Sequence, residues 1–220
     1  SHDGWLLSGI SGILVGNLAR DFDQVDEAKV SLLQNKNANV GISGMADMLN
    51  IISKPLPNGE PGFRNNYSES FENDSYMMKE IAHDEIAVLQ DKLSISKISY
   101  YTAWNKRGFN SMIAFLVRTK QTGTLIRIMK RFNISLDNDA LEEEAFLKVR
   151  VFGTIDGKKA QKSIEAKVFS DYGITGYGAA IAAKILAERN DVCGVVYPLE
   201  FLSVEDLSSL VELGKMTITN

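Results

Sequence analysis

Three polar and aromatic clusters in the sequence carry the residue types that hold a carboxylate. They lie in the segments DGWLLSGISG near the amino terminus, GFRNNYSES after a proline-rich loop, and YYTAWNKRGFN at an expected strand end. The first offers hydroxyls and N–H groups at a helix start, and the other two offer arginines that bind carboxylates through two parallel hydrogen bonds. Aromatic rings in each cluster would supply an apolar wall. The candidate substrate-binding residues are Trp5, Ser8, Ser11, Arg64, Asn66, Tyr67, Trp104 and Arg107.

No residue stands out as a catalytic acid or base, and each arginine has the alternative of a solvated surface residue. His83 and Asp84 are adjacent, and adjacent side chains point apart in a helix or a strand. The sequence has two histidines and one cysteine without metal-ligand spacing, so no metal site is expected. Cys193 is interpreted as a small core residue rather than a nucleophile. The absence of a G-x-S-x-G motif argues against a serine hydrolase.

The stretch GITGYGAAIAAKILAE contains two glycines one residue apart, which is how a dinucleotide-binding loop begins. Counting from Gly176, the third small residue of that motif falls on Ile181, and no acidic residue follows at a strand end. We therefore expect a helix whose small residues, such as Gly178 and Ala180, allow close packing against a sheet.

Composition limits the class of protein. The chain has 220 residues, 45% of them hydrophobic, which is enough for one large domain with its own core. The net charge is -4 and no basic stripe alternates with aromatic residues, so no nucleic-acid partner is expected. No apolar run is long enough to cross a bilayer, so no membrane partner is expected. A single cysteine fits a reducing cytoplasm.

Hydrophobic periodicity and turn residues predict an α+β fold, in one domain over residues 1–220. The clearest local signal is a hairpin over 146–169, because Asp156-Gly157 is a strong turn dipeptide between two strands. Residues 76–93 fit either a helix or a mixture of strand and turn. The sheet is expected to be mostly antiparallel or mixed, with helices packed on one face. Further strands are predicted over 25–34 and 95–104, and helices at 8–20, 43–53, 110–132 with a break near Gly123, 178–188 and 203–214.

The carboxyl-terminal third resembles the saccharopine dehydrogenase (glutamate-forming) family and its relatives. The resemblance lies in the hairpin VRVFGTIDGKKAQKSIEAKVFSDYG, the helix TGYGAAIAAKILAE and the connection CGVVYPLEFL. In that family a Gly-Val-x-x-Pro-x-Glu connection follows the helix, and Gly194, Val195, Pro198 and Glu200 match it here. The opening DGWLLSGISGIL is similar to the segment that follows the family's cofactor domain.

The resemblance implies the substrate-binding and dimerisation domain of an NAD(P)-dependent oxidoreductase, with NAD(P) bound mainly by a Rossmann domain elsewhere. The chain would then be a fragment of a longer protein that acts on an amino-acid or keto-acid substrate. A homodimer is expected, since a sheet with helices on one face must cover its other face. The alternative is a stand-alone binding or dimerisation module without catalytic activity.

Overall fold

A computed structural model describes residues 9–36, 38, 42–132, 144–189, 194 and 196–219. Its helices are α1 (Ile10–Ala19), α2 (Ile42–Ile52), α3 (Glu85–Leu93), α4 (Arg107–Arg118), α5 (Thr122–Phe132), α6 (Asp171–Glu188), α7 (Pro198–Phe201) and α8 (Ser208–Glu212), with a 3-10 turn at Glu205–Leu207. Its strands are β1 (Gln24–Gln34), β2 (Asn66–Phe71), β3 (Asp74–Ile81), β4 (Lys97–Trp104), β5 (Ala145–Ile155), β6 (Lys158–Val168) and β7 (Met216–Thr219).

The strands form one seven-stranded mixed sheet in the order β2-β3-β4-β1-β5-β6-β7. Strands β1 and β4 are parallel, and the other neighbouring pairs are antiparallel. Side chains from the helices pack with one face of the sheet into the main core. The predicted α+β class, with a mixed sheet and helices on one face, is confirmed.

Alternation along the strands decides which side chains enter the core. In β1, Ala28, Val30 and Leu32 face the helices and join the main core. Lys29, Ser31 and Leu33 point to the opposite face, because successive strand residues alternate. Strands β5 and β6 follow the same rule, so the sheet has one apolar face and one face that mixes charged and aromatic side chains.

The hairpin β5–β6 forms as predicted. Asp156 and Gly157 both have positive φ, at 50° and 71°, which is the backbone that a tight two-residue hairpin turn requires. The strands then pair from Ile155 with Lys158 to Ala145 with Val168. Gly153 has a separate role, since a Cβ there would overlap the carbonyl oxygen of Gln24 near an irregularity in the β1–β5 register.

The sheet curls so strongly that its edge strand β2 reaches β5 across the face without helices. Glu69 of β2 bonds to Arg150 of β5, although three strands separate β2 from β5 in the sheet order. Phe71 and Phe146 also meet, with ring centroids 5.9 Å apart. These contacts close a half-barrel, and a small cluster of buried side chains fills it. The face that a second copy was expected to cover is therefore largely covered by the β2–β3 hairpin.

Helix α6 begins at Asp171, earlier than predicted, and the expected close packing of its small residues is wrong for most of them, although Gly178 is half-buried next to Ile10. Ala180 is exposed, and a Cβ at Gly176 would meet nothing within 4 Å. The core side of α6 is instead built from Ile174, which is buried, and from two half-buried isoleucines at positions 181 and 185. Large apolar residues at helical spacing take the buried stripe, so most of the small residues face outward.

Three further segments differ from or complete the sequence interpretation. Residues 76–93, left open above, form most of β3 followed by α3. The connection GVVYPLEFL contains the single-turn helix α7 rather than being wholly extended, with Pro198 at its first position. A last strand, β7, follows Gly214 and pairs with β6. Within the described ranges, no helix is both long and apolar enough to span a membrane.

Candidate functional site

A groove lies between α4 and the β2–β3 hairpin on the helix-bearing side of the sheet. It consists of two cavities of about 520 Å³ and about 800 Å³, which share Lys79, Ser111 and Ala114 and together form what we call the cationic groove. The smaller cavity is otherwise lined by Ser68, Ser75, Tyr76, Met77, Arg107 and Asn110. The larger is otherwise lined by Pro61, Gly62, Phe63, Arg64, Phe115, Val117, Arg118 and Lys120.

The hairpin supplies the groove with polar side chains because its strands alternate. Tyr67, Glu69 and Phe71 belong to the half-barrel side of β2, so Ser68 points the other way, toward α4. The Ser68 and Ser75 hydroxyls lie 3.1 Å apart across the hairpin.

Asn110 fixes the start of α4 against the end of β4. Its side chain accepts a hydrogen bond from the Trp104 N–H at 2.8 Å and donates one to the Trp104 carbonyl at 2.7 Å. Arg107 is the first residue of α4, after an extended Lys106. The first turn of a helix carries partial positive charge on its N–H groups. Arg107 and this helix end therefore add positive charge at the same place.

The electrostatic character of the groove is one-sided. Among the described residues that line it, five are cations and none is a carboxylate: Arg64, Lys79, Arg107, Arg118 and Lys120. In the part of the chain that the structure describes, none of the five forms an ion pair with a carboxylate. Lysines elsewhere do form ion pairs: Lys159 and Lys162 each bond to an aspartate at 2.7 Å. An anion entering the groove would meet cations that internal carboxylates have not neutralised.

Three of the predicted site residues surround this groove. Arg64 lines the larger cavity and Arg107 the smaller. Asn66 lies beside them, since its side-chain oxygen accepts a hydrogen bond from Lys79 Nζ at 2.5 Å. The two arginines from separate sequence clusters thus open on one continuous groove, with Lys79 between them.

Two other predicted residues lie apart from the groove. Trp104 is buried in the core and packs against Phe63 and Phe109. Tyr67 faces the half-barrel, where its hydroxyl donates to Glu69 at 3.2 Å. Burial, and next the neighbouring Glu69 carboxylate, raise the pKa of Tyr67 to about 12. Both aromatic residues contribute to packing rather than to the groove wall.

The predicted carboxylate site at the start of α1 already holds a carboxylate of the chain itself. Glu85 accepts a hydrogen bond from the Gly9 N–H at 3.0 Å and one from the Ser11 hydroxyl at 2.5 Å. The Tyr100 hydroxyl donates to the same carboxylate, and burial and then Glu85 raise the Tyr100 pKa well above its ordinary value. Ser11 lies within the first turn, after Gly9 as the capping residue. The predictions for Trp5, Ser8, Cys193 and Val195 fall outside the described residues.

The half-barrel holds a second charged cluster, whose groups are already paired. The Glu69 carboxylate accepts hydrogen bonds from Arg150 at 2.8 Å and 2.7 Å, and Lys148 bonds to Glu165 at 2.9 Å. Burial raises the pKa of Glu69, but the Arg150 hydrogen bonds and the Ser70 N–H outweigh it and lower that pKa overall. This cluster joins β2 to β5 and is best explained as a structural contact.

Sequence reasoning missed the lysines and Arg118 of the groove. Lys79 lies in β3, which the sequence left undecided between helix and strand. One signal was available for the others: residues 106–132 contain seven lysines and arginines and no aspartate or glutamate. Charge counted by segment would have marked α4 and its neighbourhood as cationic.

The described residues bear on two kinds of chemistry, metal binding and dinucleotide binding. They contain no group of three histidine, cysteine, aspartate or glutamate side chains that could hold a metal ion. Gly176 and Gly178 lie inside α6, more than a turn after its Ser170 cap, and not in a turn between strand and helix. They therefore do not form the loop that holds a dinucleotide pyrophosphate.

No protein-family model matches the chain, and no curated protein matches it in sequence. The resemblance to the saccharopine dehydrogenases rests on the motifs quoted from the sequence.

Proposed function

We propose that the chain is the substrate-binding and dimerisation domain of an NAD(P)-dependent oxidoreductase similar to the saccharopine dehydrogenases. In this proposal the cationic groove binds the carboxylate of an amino-acid or keto-acid substrate. The observation that carries it is the convergence of Arg64, Lys79 and Arg107 on one groove without a lining carboxylate.

The size and lining of the groove support a small organic anion. The smaller cavity, at about 520 Å³, falls in the range of small-molecule sites. A carboxylate there would face Arg107 and Lys79, while the Ser68, Ser75 and Ser111 hydroxyls offer further hydrogen bonds. Hydrogen bonds between ionised partners are about twice as strong as neutral ones, so this arrangement favours a carboxylate over a neutral compound.

The role we assign to the groove is to bind and orient the substrate. Among the described residues, no aspartate, glutamate or histidine lines it, so no carboxylate or imidazole there can act as a general base. In the proposed enzyme, NAD(P) supplies the hydride chemistry and is bound mainly by a separate domain. This division of labour agrees with the position of the α6 glycines inside a helix.

The residues that line the groove are also compatible with the alternative function, a stand-alone binding module. A stand-alone binding module would need the cations and hydroxyls of the groove but no base and no hydride donor. The two functions differ in what the intact gene product does: the enzyme oxidises NADPH or NADH in the presence of a keto acid and an amine, and the module does not.

We propose that the domain forms a homodimer through the outer face of α6 rather than through the curled sheet. Tyr177 is 44% exposed and most of the alanines around it are exposed. Leu213 is 62% exposed and Phe169 48% exposed in the same carboxyl-terminal third. Light scattering should give twice the 24.3 kDa chain mass, and a monomer mass at high concentration would contradict the dimer.

The test of the binding function is calorimetry on the 220-residue chain with 2-oxoglutarate and L-glutamate as probes. We expect Arg107→Gln to weaken binding of the better probe by about ten- to a hundredfold, because a hydrogen bond to a charged group contributes about 1.5–3 kcal/mol. Arg20→Gln is the matched control, since Arg20 is an exposed arginine at the end of α1, and it should bind as the wild type does.

Two results would count against the proposal. Equal affinities for the wild type and Arg107→Gln would remove the groove from substrate binding. Micromolar binding of NADPH or NADH to this chain alone would contradict the assignment of the cofactor to a separate domain.

A further inference from the structure

Positive charge is concentrated in one segment of an acidic protein. Residues 106–132 carry seven of the chain's 24 lysines and arginines and none of its 28 aspartates and glutamates. The segment comprises α4, α5 and the short connection between them. The net charge of -4, from which no nucleic-acid partner was expected, conceals this segregation.

Large apolar side chains stand in solvent among these cations. Phe115 is 64% exposed, Met112 47% and Ile128 45%. Ile113 and Met129 occupy the buried sides of the two helices. Each helix therefore has an inward apolar stripe that packs on the core and an outward face that combines cations with exposed apolar side chains.

The exposed apolar residues alternate with cations along the chain. In α4, Phe115 lies one helical turn before Arg118, with Lys120 just beyond the helix. Phe115, Arg118 and Lys120 all line the larger cavity, which places them on one surface. In α5, Ile128 lies among three exposed cations: Arg127, Lys130 and Arg131.

We propose that the outward face of α4 and α5 is a peripheral docking surface for the anionic face of a lipid bilayer. A helix at a bilayer interface places apolar side chains at the boundary of the acyl chains, while its lysines and arginines contact anionic head groups. Both parts of that arrangement are present here. A nucleic acid would use the cations but would leave Met112, Phe115 and Ile128 unexplained, and binding to polyglutamate distinguishes an acidic protein from a bilayer.

This inference does not rest on the proposed function. Phe115, Arg118 and Lys120 of the docking surface line the larger cavity of the groove, whereas Arg107, where carboxylate binding is tested, lines only the smaller cavity. The vesicle test changes Phe115, Arg118 and Lys120 and the carboxylate test changes Arg107, so a failure of either test leaves the other standing.

Vesicle flotation with the 220-residue chain tests the proposal. The probes are vesicles of phosphatidylcholine alone and of phosphatidylcholine with an equal amount of phosphatidylserine. We expect the wild type to bind the anionic vesicles at least about tenfold more tightly, and added salt to weaken that binding.

Four variants distinguish the contribution of the docking surface to vesicle binding from the effect of any change in net charge or of any exposed apolar side chain. The double variant Arg118→Glu/Lys120→Glu, and separately Phe115→Ser, should each lose at least about tenfold in binding to anionic vesicles. The charge-matched control is Lys36→Glu/Lys158→Glu, at two exposed lysines outside the segment and away from α6, and the apolar control is Val211→Ser, at a side chain that is 43% exposed. Both controls should keep most of the wild-type binding.

Several results would overturn the proposal. One is equal binding of the wild type to neutral and anionic vesicles, or no binding to either. Another is a loss of binding to anionic vesicles in the control variants that equals the loss in the docking-surface variants. Binding to polyglutamate or to duplex DNA that is tighter than binding to anionic vesicles would assign the surface to a macromolecule instead. If circular dichroism shows that the glutamate variant is unfolded, Arg118→Gln/Lys120→Gln takes its place with the same expected direction.

Discussion

At the scale of single residues, the half-barrel depends on one ion pair between distant strands. Glu69 is only 2% exposed, and it accepts two hydrogen bonds from Arg150, which is 23% exposed. Removing one partner of a buried ion pair leaves the other charge buried without a counter-charge. The resulting loss in the free energy of unfolding is larger than the stability that the pair itself contributed. The two residues should therefore respond unequally to substitution and to pH.

Arg150→Met should destabilise the protein strongly, because among the described residues it leaves Lys148, at 3.9 Å, as the one cation paired with the buried Glu69 carboxylate. We expect a loss of about 3 kcal/mol in the free energy of unfolding, measured by urea denaturation. The matched control is Lys162→Met, whose ion pair with Asp21 is exposed and should contribute less than about 1 kcal/mol. Equal losses in the two variants would show that the Glu69–Arg150 pair does not hold the half-barrel.

The same ion pair predicts a pH dependence with a definite sign. The pKa of Glu69 is lower in the folded protein than its ordinary value. Its ionised form thus stabilises the fold above the unfolded pKa of about 4.3, and this contribution is lost as the pH falls through the folded pKa. The wild type should be more stable than Glu69→Gln at neutral pH, and the difference should shrink below about pH 4. A difference that stays constant with pH would contradict the lowered pKa.

At the scale of elements, local signals predicted the strands better than they predicted the packing of α6. The β5–β6 hairpin was predictable because alternation and Asp156-Gly157 act between neighbouring residues. The packing of α6 was not, because which side of a helix is buried depends on the elements around it. Ile174 is buried against the core, while Ala180, expected to be packed, is exposed.

A pair of substitutions in α6 tests this revised packing. A Cβ at Gly178 would come within 3.4 Å of Ile10 of α1, whereas Ala180 is exposed. Gly178→Leu should overpack and lower the free energy of unfolding by about 1–3 kcal/mol. Ala180→Leu should change it by no more than about 0.5 kcal/mol. If thermal unfolding shows a larger loss of stability for Ala180→Leu than for Gly178→Leu, then Ala180 is the closely packed residue and the revised packing is wrong.

At the scale of the whole molecule, the groove exists because the fold brings separate segments together. Arg64 follows a loop, Lys79 lies in β3 and Arg107 begins α4. Both arginines could be predicted as site residues without knowledge of the fold, because polar and aromatic residues lie next to them in the sequence. The sequence could not show that Lys79 stands between them, or that Glu85 occupies the start of α1, because both depend on contacts between distant segments.

The most direct test of the proposed site is the position at which a carboxylate binds. Amide correlation spectra of the 220-residue chain, titrated with 2-oxoglutarate, report that position residue by residue. Our account predicts shifts at Ser68, at Lys79 and in the first turn of α4 from Arg107, and their loss in Arg107→Gln. Shifts confined to Gly9 and Ser11 at the start of α1, or no shifts at all, would contradict it.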